Sequence, residues 1–87
     1  MRAVITVIGK DMVGILAKVS GTCAEANANV IEVTQSVLQE FFAMVMLIDM
    51  EKMTCGLSEL QERLTENVGE MRIHVMHENI FNSMHRI

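Results

Sequence analysis

The stretch from Phe41 to Ile48 constrains the fold more than any other, because all eight of its residues are apolar. Successive side chains of a β-strand point to opposite faces of its sheet, so a strand made of this stretch would bury both faces. Ala3 to Ile8 is a second such run, with Thr6 as its polar residue. Strands that are buried on both faces belong at the centre of a sheet, and we expect these two there.

Two further segments alternate between apolar and polar residues, which is typical of a strand with one face in water. In the segment from Asn29 to Gln39, Ile31, Val33 and Val37 are predicted to share the apolar side. The same alternation from Met71 to Val75 predicts a fourth strand. Strands with one polar face are expected at the two edges of the sheet.

Two other segments repeat apolar residues at helical spacing, which predicts amphipathic helices. The first follows Asp11, whose carboxylate is predicted to cap the helix by accepting backbone N–H groups. Its apolar stripe consists of Ile15, Leu16, Val19, Cys23 and Ala26. The stripe of the second helix consists of Leu57, Leu60, Leu64 and Val68. Gly69 is predicted to end that helix.

The elements follow one another as β-α-β-β-α-β, with a turn near Gln39-Glu40, which is the order of a ferredoxin-like α+β sandwich. With the two-sided strands inside, the antiparallel sheet has the order 4-1-3-2 and both helices lie on one face. Residues 1–77 form this domain. Residues 78–87 are predicted to form a short C-terminal helix that packs on the sheet or on a dimer mate, because their apolar residues recur at helical spacing.

The sheet face without helices would present a large apolar surface, which is a liability for a monomer in water. The sequence therefore predicts a cover, either the tail, a second copy of the chain, or both, and we favour a homodimer. Met44, Met46 and the tail are candidates for this interface, since thioether side chains adapt to irregular gaps. A methionine-rich core is the alternative explanation for the nine methionines.

Composition and charge argue against several classes of function. A net charge of −4 and a pI of 5.2 disfavour direct nucleic-acid binding. No apolar run approaches the roughly 18 residues of a membrane span, and the N-terminus lacks a signal-peptide pattern. We therefore expect a cytoplasmic protein without a membrane partner. Cys23 and Cys55 are expected to be reduced there.

Side chains suited to catalysis are few. His74 and His77 lie three residues apart on a predicted strand, so their side chains point to opposite faces and do not share a metal. A metal-dependent enzyme would have to use His77 and His85 through a tail that folds back, and polar packing of the tail is the preferred interpretation. We predict that the protein is not an enzyme, with no catalytic residue, no cofactor and no metal.

The connection from Gly9 to Gly14, G-K-D-M-V-G, is the most informative motif. Its glycines permit a sharp turn or the close approach of a small ligand. The N-terminus of the helix that follows can hold a carboxylate. The motif is neither G-x-G-x-x-G nor a phosphate-binding loop. A tight strand-to-helix turn capped by Asp11, with no ligand, is the alternative.

Together with A-N-A-N-V-I at the start of the second strand, the motif G-K-D-x-x-G-I-L resembles an ACT domain. The tail, H-E-N-I-F-N-S-M-H-R-I, is similar to that of the small stand-alone ACT proteins of bacteria and archaea. The resemblance covers essentially the whole chain. Many ACT domains of metabolic enzymes have proline before the second glycine of the loop, where this chain has Val13.

The resemblance implies a non-catalytic regulatory module that pairs and binds a small effector, often an amino acid, between the first loop of one subunit and the second strand of its mate. The matching positions are Asp11, Met12, Val13, Gly14 and Ile15 on one side and Asn29, Val30 and Ile31 on the other. Backbone N–H groups would take the effector carboxylate, and Asp11 or the Asn29 amide its ammonium group. Turn chemistry at the strand entry is the alternative role of Asn29. The alternative function is a protein-interaction module without a small ligand, similar to the ACT-containing repressor of the glycine cleavage system.

Overall fold

A computed structural model describes residues 1–10, 14–69 and 71–84. Within these residues the chain forms four strands and three helices. The strands are β1 (Arg2–Gly9), β2 (Asn29–Leu38), β3 (Phe41–Asp49) and β4 (Arg72–His77). The helices are α1 (Ile15–Glu25), α2 (Leu57–Val68) and α3 (Glu78–Met84).

The four strands form one sheet in the order β2-β3-β1-β4, and every neighbouring pair is antiparallel. This is the predicted order, with the two apolar strands β1 and β3 in the centre. The ferredoxin-like α+β fold is confirmed. β2 and β3 are joined through a turn at Gln39 and Glu40, where Gln39 has a φ of 56°.

The core lies between the sheet and the helices α1 and α2. The register sets Ile5 opposite Met46 and Val7 opposite Met44, so these side chains share the face toward the helices. Met44 and Met46 are 1% and 0% exposed within the single chain. The expectation that these two methionines lie at a dimer interface is therefore wrong. The strand pairing directs both side chains toward α1 and α2, where they are part of the core of the single protomer.

Strand β2 departs from its predicted alternation at a β-bulge between Val30 and Glu32. The bulge inserts one residue that has no partner on β3 and reverses the phase of the strand there. Val30 and Val33 pack against the core, whereas Ile31 is 46% exposed. The prediction that Ile31 and Val33 share one side is wrong for this reason.

Helix α1 begins later than the sequence suggested. Gly14 is its N-cap residue, with a φ of 73° in the left-handed region, so the helix starts only at Ile15. The predicted N-cap at Asp11 is therefore wrong, and Asp11 itself lies outside the described residues. Within the predicted stripe, Leu16 is 41% exposed, because it lies on the outer side of the helix while Ile15 and Val19 are buried.

Helix α3 continues directly from β4 and lies against β1 and β4. Arg2 Nε and Nη2 donate to the two carboxylate oxygens of Glu78 at 2.9 and 2.5 Å. The Asn79 N–H donates to His77 Nδ1 at 3.1 Å, which caps the start of the helix. On the face without α1 and α2, Val4 is 5% exposed and Val45 is 37% exposed.

Candidate functional site

The end of β1 and the start of α1 meet at one edge of the sheet. Gly9 pairs with Phe42 at the end of the β1–β3 ladder. A Cβ atom at Gly9 would overlap Met71 Sδ, so glycine lets the Met71 side chain lie across the end of the strand. At Gly14, by contrast, no described residue beyond its chain neighbours and the adjacent helix backbone has an atom within 4 Å of the place where a Cβ would stand. The described residues therefore leave space beside Gly14.

The first turn of α1 presents backbone donors. The Lys18 N–H donates to the Gly14 carbonyl at 3.0 Å, which is the first bond of the helix. The N–H groups of Ile15, Leu16 and Ala17 precede this bond and so have no acceptor within the helix. No acidic residue stands in this first turn. A carboxylate placed here would meet both these donors and the positive end of the helix dipole.

The two halves of the predicted site lie at opposite ends of the sheet. Asn29 pairs with Asp49, which pairs with Arg2 at the start of β1, whereas Gly14 follows the end of β1. A single chain therefore does not bring Gly14 and Ile15 together with Asn29, Val30 and Ile31. Asp11, Met12 and Val13, the remaining predicted positions, lie outside the described residues.

Asn29 lies beside a polar hollow of about 580 Å³. Its other polar lining residues are Asn27, Asp49, Glu51 and Lys52. Asp49 Oδ1 accepts the Glu51 N–H at 2.9 Å, and Asn27 Nδ2 donates to the Lys52 carbonyl at 2.8 Å. The sequence offered no signal for Asp49 here, because its place beside Asn29 depends on the register of β2 and β3.

A larger cleft of about 600 Å³ lies at the Gly9 end of the sheet, between the end of β1, α1 and the end of α2. We call it the basic cleft; its charged and largest apolar lining residues are Lys10, Lys18, Glu66, Arg72, Phe41 and Met71. None of these was predicted as a functional residue. Lys18 and Arg72 are far apart in the sequence, and only tertiary packing joins them.

The two thiols are poor nucleophiles. Burial raises the pKa of Cys23 from its ordinary value of 9.0 to about 11. Burial also raises the pKa of Cys55, and Arg63 opposes this rise only in part. Both cysteines are free thiols. Because the thiolate is the reactive form, neither is activated at neutral pH.

The Cys23 pKa leads to a prediction for stability at high pH. An unfolded thiol ionises near pH 9.0 and the folded one near 11, so the folded protein is expected to lose stability as pH rises between these values. The loss is absent below pH 9. The chain has no tyrosine, so no phenol titrates in the same range. Urea denaturation under reducing conditions at several pH values measures the loss.

Cys23→Ala is expected to make the decline in this window clearly shallower and to leave only a smaller decline from Cys55, whose pKa is also raised. It also lowers stability overall by opening a small cavity. Cys55→Ala serves as the matched control, because Cys55 is only partly buried, and it should retain the decline. An equally steep decline in Cys23→Ala would contradict the assignment to Cys23.

The histidines do not form a metal-binding cluster within residues 1–10, 14–69 and 71–84. In that part of the chain, no three His, Cys, Asp or Glu side chains come together to hold a metal ion. His74 and His77 lie three residues apart on β4, so their side chains are on opposite faces of the sheet. His77 Nδ1 accepts a hydrogen bond from the Asn79 N–H. Among the described helices, none has the length and apolar character needed to cross a membrane.

Comparison with known proteins agrees with this architecture. The family model of the ACT domain matches residues 2–78. A UPF0237 protein of Listeria innocua is 44% identical over 89 aligned residues that cover 100% of both chains. An ACT domain protein from Streptococcus pneumoniae has a TM-score of 0.77 and 32% identity, and the match covers 93% of each chain.

A putative glycine cleavage system transcriptional repressor shares the fold with a TM-score of 0.67 and 20% identity, over 85% of this chain and 43% of that one. The family model and the Listeria relative both extend over nearly all of the sequence. This chain belongs to the ACT domain family.

Proposed function

We propose that this protein is a non-catalytic cytoplasmic regulator that forms a homodimer and binds an amino acid at the seam between the two copies. One observation carries the proposal. The N-terminus of α1 at Gly14 and the polar entry of β2 at Asn29 lie at opposite ends of one sheet, so a second copy is needed to bring them together.

Membership of the ACT domain family supports a regulatory role, because ACT domains are regulatory modules that often pair and bind small effectors. The putative transcriptional repressor with the same fold is also a regulator by its name. The thiols and histidines described above supply no activated nucleophile, which agrees with a role in binding rather than catalysis.

The edge of β2 is the surface that we propose for pairing. β2 is an edge strand of the sheet, so the backbone groups on its outer side have no partner among the described strands. Ile31 and Val37, near its two ends, are 46% and 58% exposed. Antiparallel pairing of two β2 edges sets Asn29 of one copy at the end of the sheet where the other copy has Gly14.

The chemistry at the seam suits a zwitterion. The N–H groups of Ile15, Leu16 and Ala17 would receive the effector carboxylate. On the mate, Asn29 would accept from the ammonium group through its amide oxygen, and Asp49 beside it would supply negative charge. Val30 and Ile31 would contact the side chain of the effector, while Asp11, Met12 and Val13 complete the loop in the proposal.

Residues 78–87 are proposed to act as a tail that shields part of the sheet face in the dimer. The ion pair between Arg2 and Glu78 and the contacts of α3 with β1 and β4 support this role. In this arrangement residues 1–77 supply the pairing edge and the effector site.

Calorimetry with each of the twenty amino acids tests the effector. We expect at least one to bind with a Kd in the range of roughly micromolar to millimolar, and to raise the melting temperature of the protein by mass action. No heat and no melting shift with any amino acid at millimolar concentration would refute the proposal.

Substitution at Gly14 tests where the amino acid binds. Gly14→Asn tolerates the φ of 73° better than other side chains do, yet its side chain fills the approach to the first turn of α1. We expect the Kd to rise by about tenfold or more, a loss of about 1.4 kcal/mol. Gly14→Val adds backbone strain and should weaken binding further.

Gly21→Ala is the matched control, because Gly21 is an exposed residue of α1 with open space around it. This variant should bind the amino acid as the parent does. Unchanged affinity in both Gly14 variants would place the ligand elsewhere.

A second candidate function is a module that docks on another protein without any small ligand. This function is favoured by two apolar side chains on the sheet face opposite α1 and α2, because Ile8 is 48% exposed and Val45 is 37% exposed. Affinity purification of the ligand-free protein from its native cytosol distinguishes the two. A stoichiometric protein partner together with a silent amino-acid screen would support the docking function.

A further inference from the structure

The described residues that line the basic cleft carry a net charge opposite to that of the whole protein. The chain has a net charge of −4, yet three of its seven Lys and Arg residues line this one cleft. They are Lys10, Lys18 and Arg72, and Glu66 is the acidic residue beside them. Among the described residues that line the cleft, the formal charge is therefore +2, from three cations and one carboxylate.

Lys10, Lys18 and Arg72 form no ion pair with another described residue. In the part of the chain that the structure describes, the ion pairs are Arg2 with Glu78 and Arg63 with Glu59. Lys10 Nζ stands 5.9 Å from the centroid of the Phe41 ring, a contact that holds the ammonium group at the cleft without neutralising it. Like charges that are gathered in one concave site attract a ligand of opposite charge.

The size and the walls of the cleft limit the ligand to a small molecule. A volume of about 600 Å³ falls within the usual range for small-molecule sites, roughly 300–1,000 Å³. Phe41 and Met71 supply apolar walls, and Met71 rests on Gly9 where any larger residue would displace it. A short carbon body with charged ends fits these walls.

We propose that the basic cleft binds a small organic dianion, either a dicarboxylate or a phosphate monoester. Lys18 and Arg72 contact its anionic groups, and Lys10 closes over it from the Phe41 side. The cleft lies within one protomer and needs no residue of a second copy. It is therefore separate from the amino-acid seam of the proposed function, although Gly9 and Ile15 border both.

Calorimetric titrations with succinate and with inorganic phosphate test the site, at a fixed ionic strength set with sodium chloride because surface charges are screened by salt. At least one of the two is expected to bind with a Kd on the order of millimolar or below. The tighter of the two identifies the source of the anion. Succinamide, which has the same carbon body without charge, should give no heat.

Two variants are expected to move the affinity in opposite directions. Lys18→Gln with Arg72→Gln should weaken anion binding by roughly tenfold or more, since two charge-assisted contacts are lost. Glu66→Gln should strengthen it, because the repelling carboxylate is removed. Lys52→Gln with Arg63→Gln changes the net charge by the same two units away from the cleft and should leave the affinity unchanged.

The outcomes separate this site from the amino-acid site. A variant with Ile31→Lys and Val37→Lys on the edge of β2, which is expected to be monomeric, should still bind the anion, whatever happens to amino-acid binding. The proposal is overturned if neither anion binds above the chloride background, or if the Lys18 and Arg72 variant, shown by circular dichroism to be folded, binds as tightly as the parent.

Discussion

A variant with Ile31→Lys and Val37→Lys is expected to sediment as a single chain of 9.8 kDa, whereas the parent protein should sediment with the mass of two chains. Lysine on an edge strand keeps a second strand from pairing, because its charge would have to be buried against the mate. Both positions are already exposed in the protomer, so the fold itself should be retained. Analytical ultracentrifugation at tens of micromolar gives the mass.

The same variant is expected to lose amino-acid binding entirely, because Gly14 and Asn29 no longer meet across a seam. Val45→Lys is the matched control, since it makes the same kind of change on the open face of β3 instead of the edge of β2. We expect Val45→Lys to remain dimeric. A monomer from Val45→Lys and a dimer from the double variant would show that two sheet faces meet, and would overturn edge pairing.

Leu64→Ala is expected to bring the protein close to unfolding. Leu64 is 0% exposed in the layer between α2 and the sheet. Truncation of such a leucine removes about 2–5 kcal/mol through lost burial and the cavity left behind. A chain of 87 residues has a free energy of unfolding of only about 4–13 kcal/mol, at 0.05–0.15 kcal/mol per residue. The variant thus loses a large fraction of its stability.

Urea denaturation followed by far-ultraviolet circular dichroism measures this loss, and a fixed protein concentration keeps dimer formation constant. Leu64→Met conserves most of the volume and should cost less than about 1.5 kcal/mol. Glu62→Ala on the outer face of α2 should change stability by no more than about 0.5 kcal/mol. A loss in Leu64→Ala as small as that of Glu62→Ala would contradict the packing described for α2.

The sequence was sufficient to predict the element order, the strand order and the hairpin turn, because each rests on periodicity over many residues. Phe41 to Ile48 could only be an interior strand once its length and two-sided apolar pattern were considered together. The strand order followed from this segment and from its partner β1. Gly69 ends α2 as expected, with a φ of 59°.

Local departures from periodicity could not be predicted. The bulge at Ile31 depends on how β2 aligns with β3. No residue type between Asn29 and Val33 indicates a bulge in the sequence. The start of α1 at Ile15 follows from the left-handed backbone conformation of Gly14. From the sequence alone, Asp11 is an equally good N-cap residue, so the later start of the helix could not be predicted. Both departures fall on residues of the predicted site, Gly14 and Ile31.

For the site, the sequence predicted which segments to consider and the structure shows how they are distributed. Gly14 and Ile15 were placed with Asn29 by resemblance, and the register explains why one chain does not unite them. The basic cleft went unpredicted, because Lys18 and Arg72 become neighbours only through the packing of α1, α2 and the sheet.

Because β4 passes into α3 without an intervening loop and Arg2 holds Glu78, the first residues of the chain and the base of the tail lie together, remote from Gly9. Attachment of the protein to a sensor chip through a tag placed before Arg2 would accordingly direct the basic cleft away from the solid support. Immobilised in this orientation, the protein would expose that cleft to anions in the flowing solution.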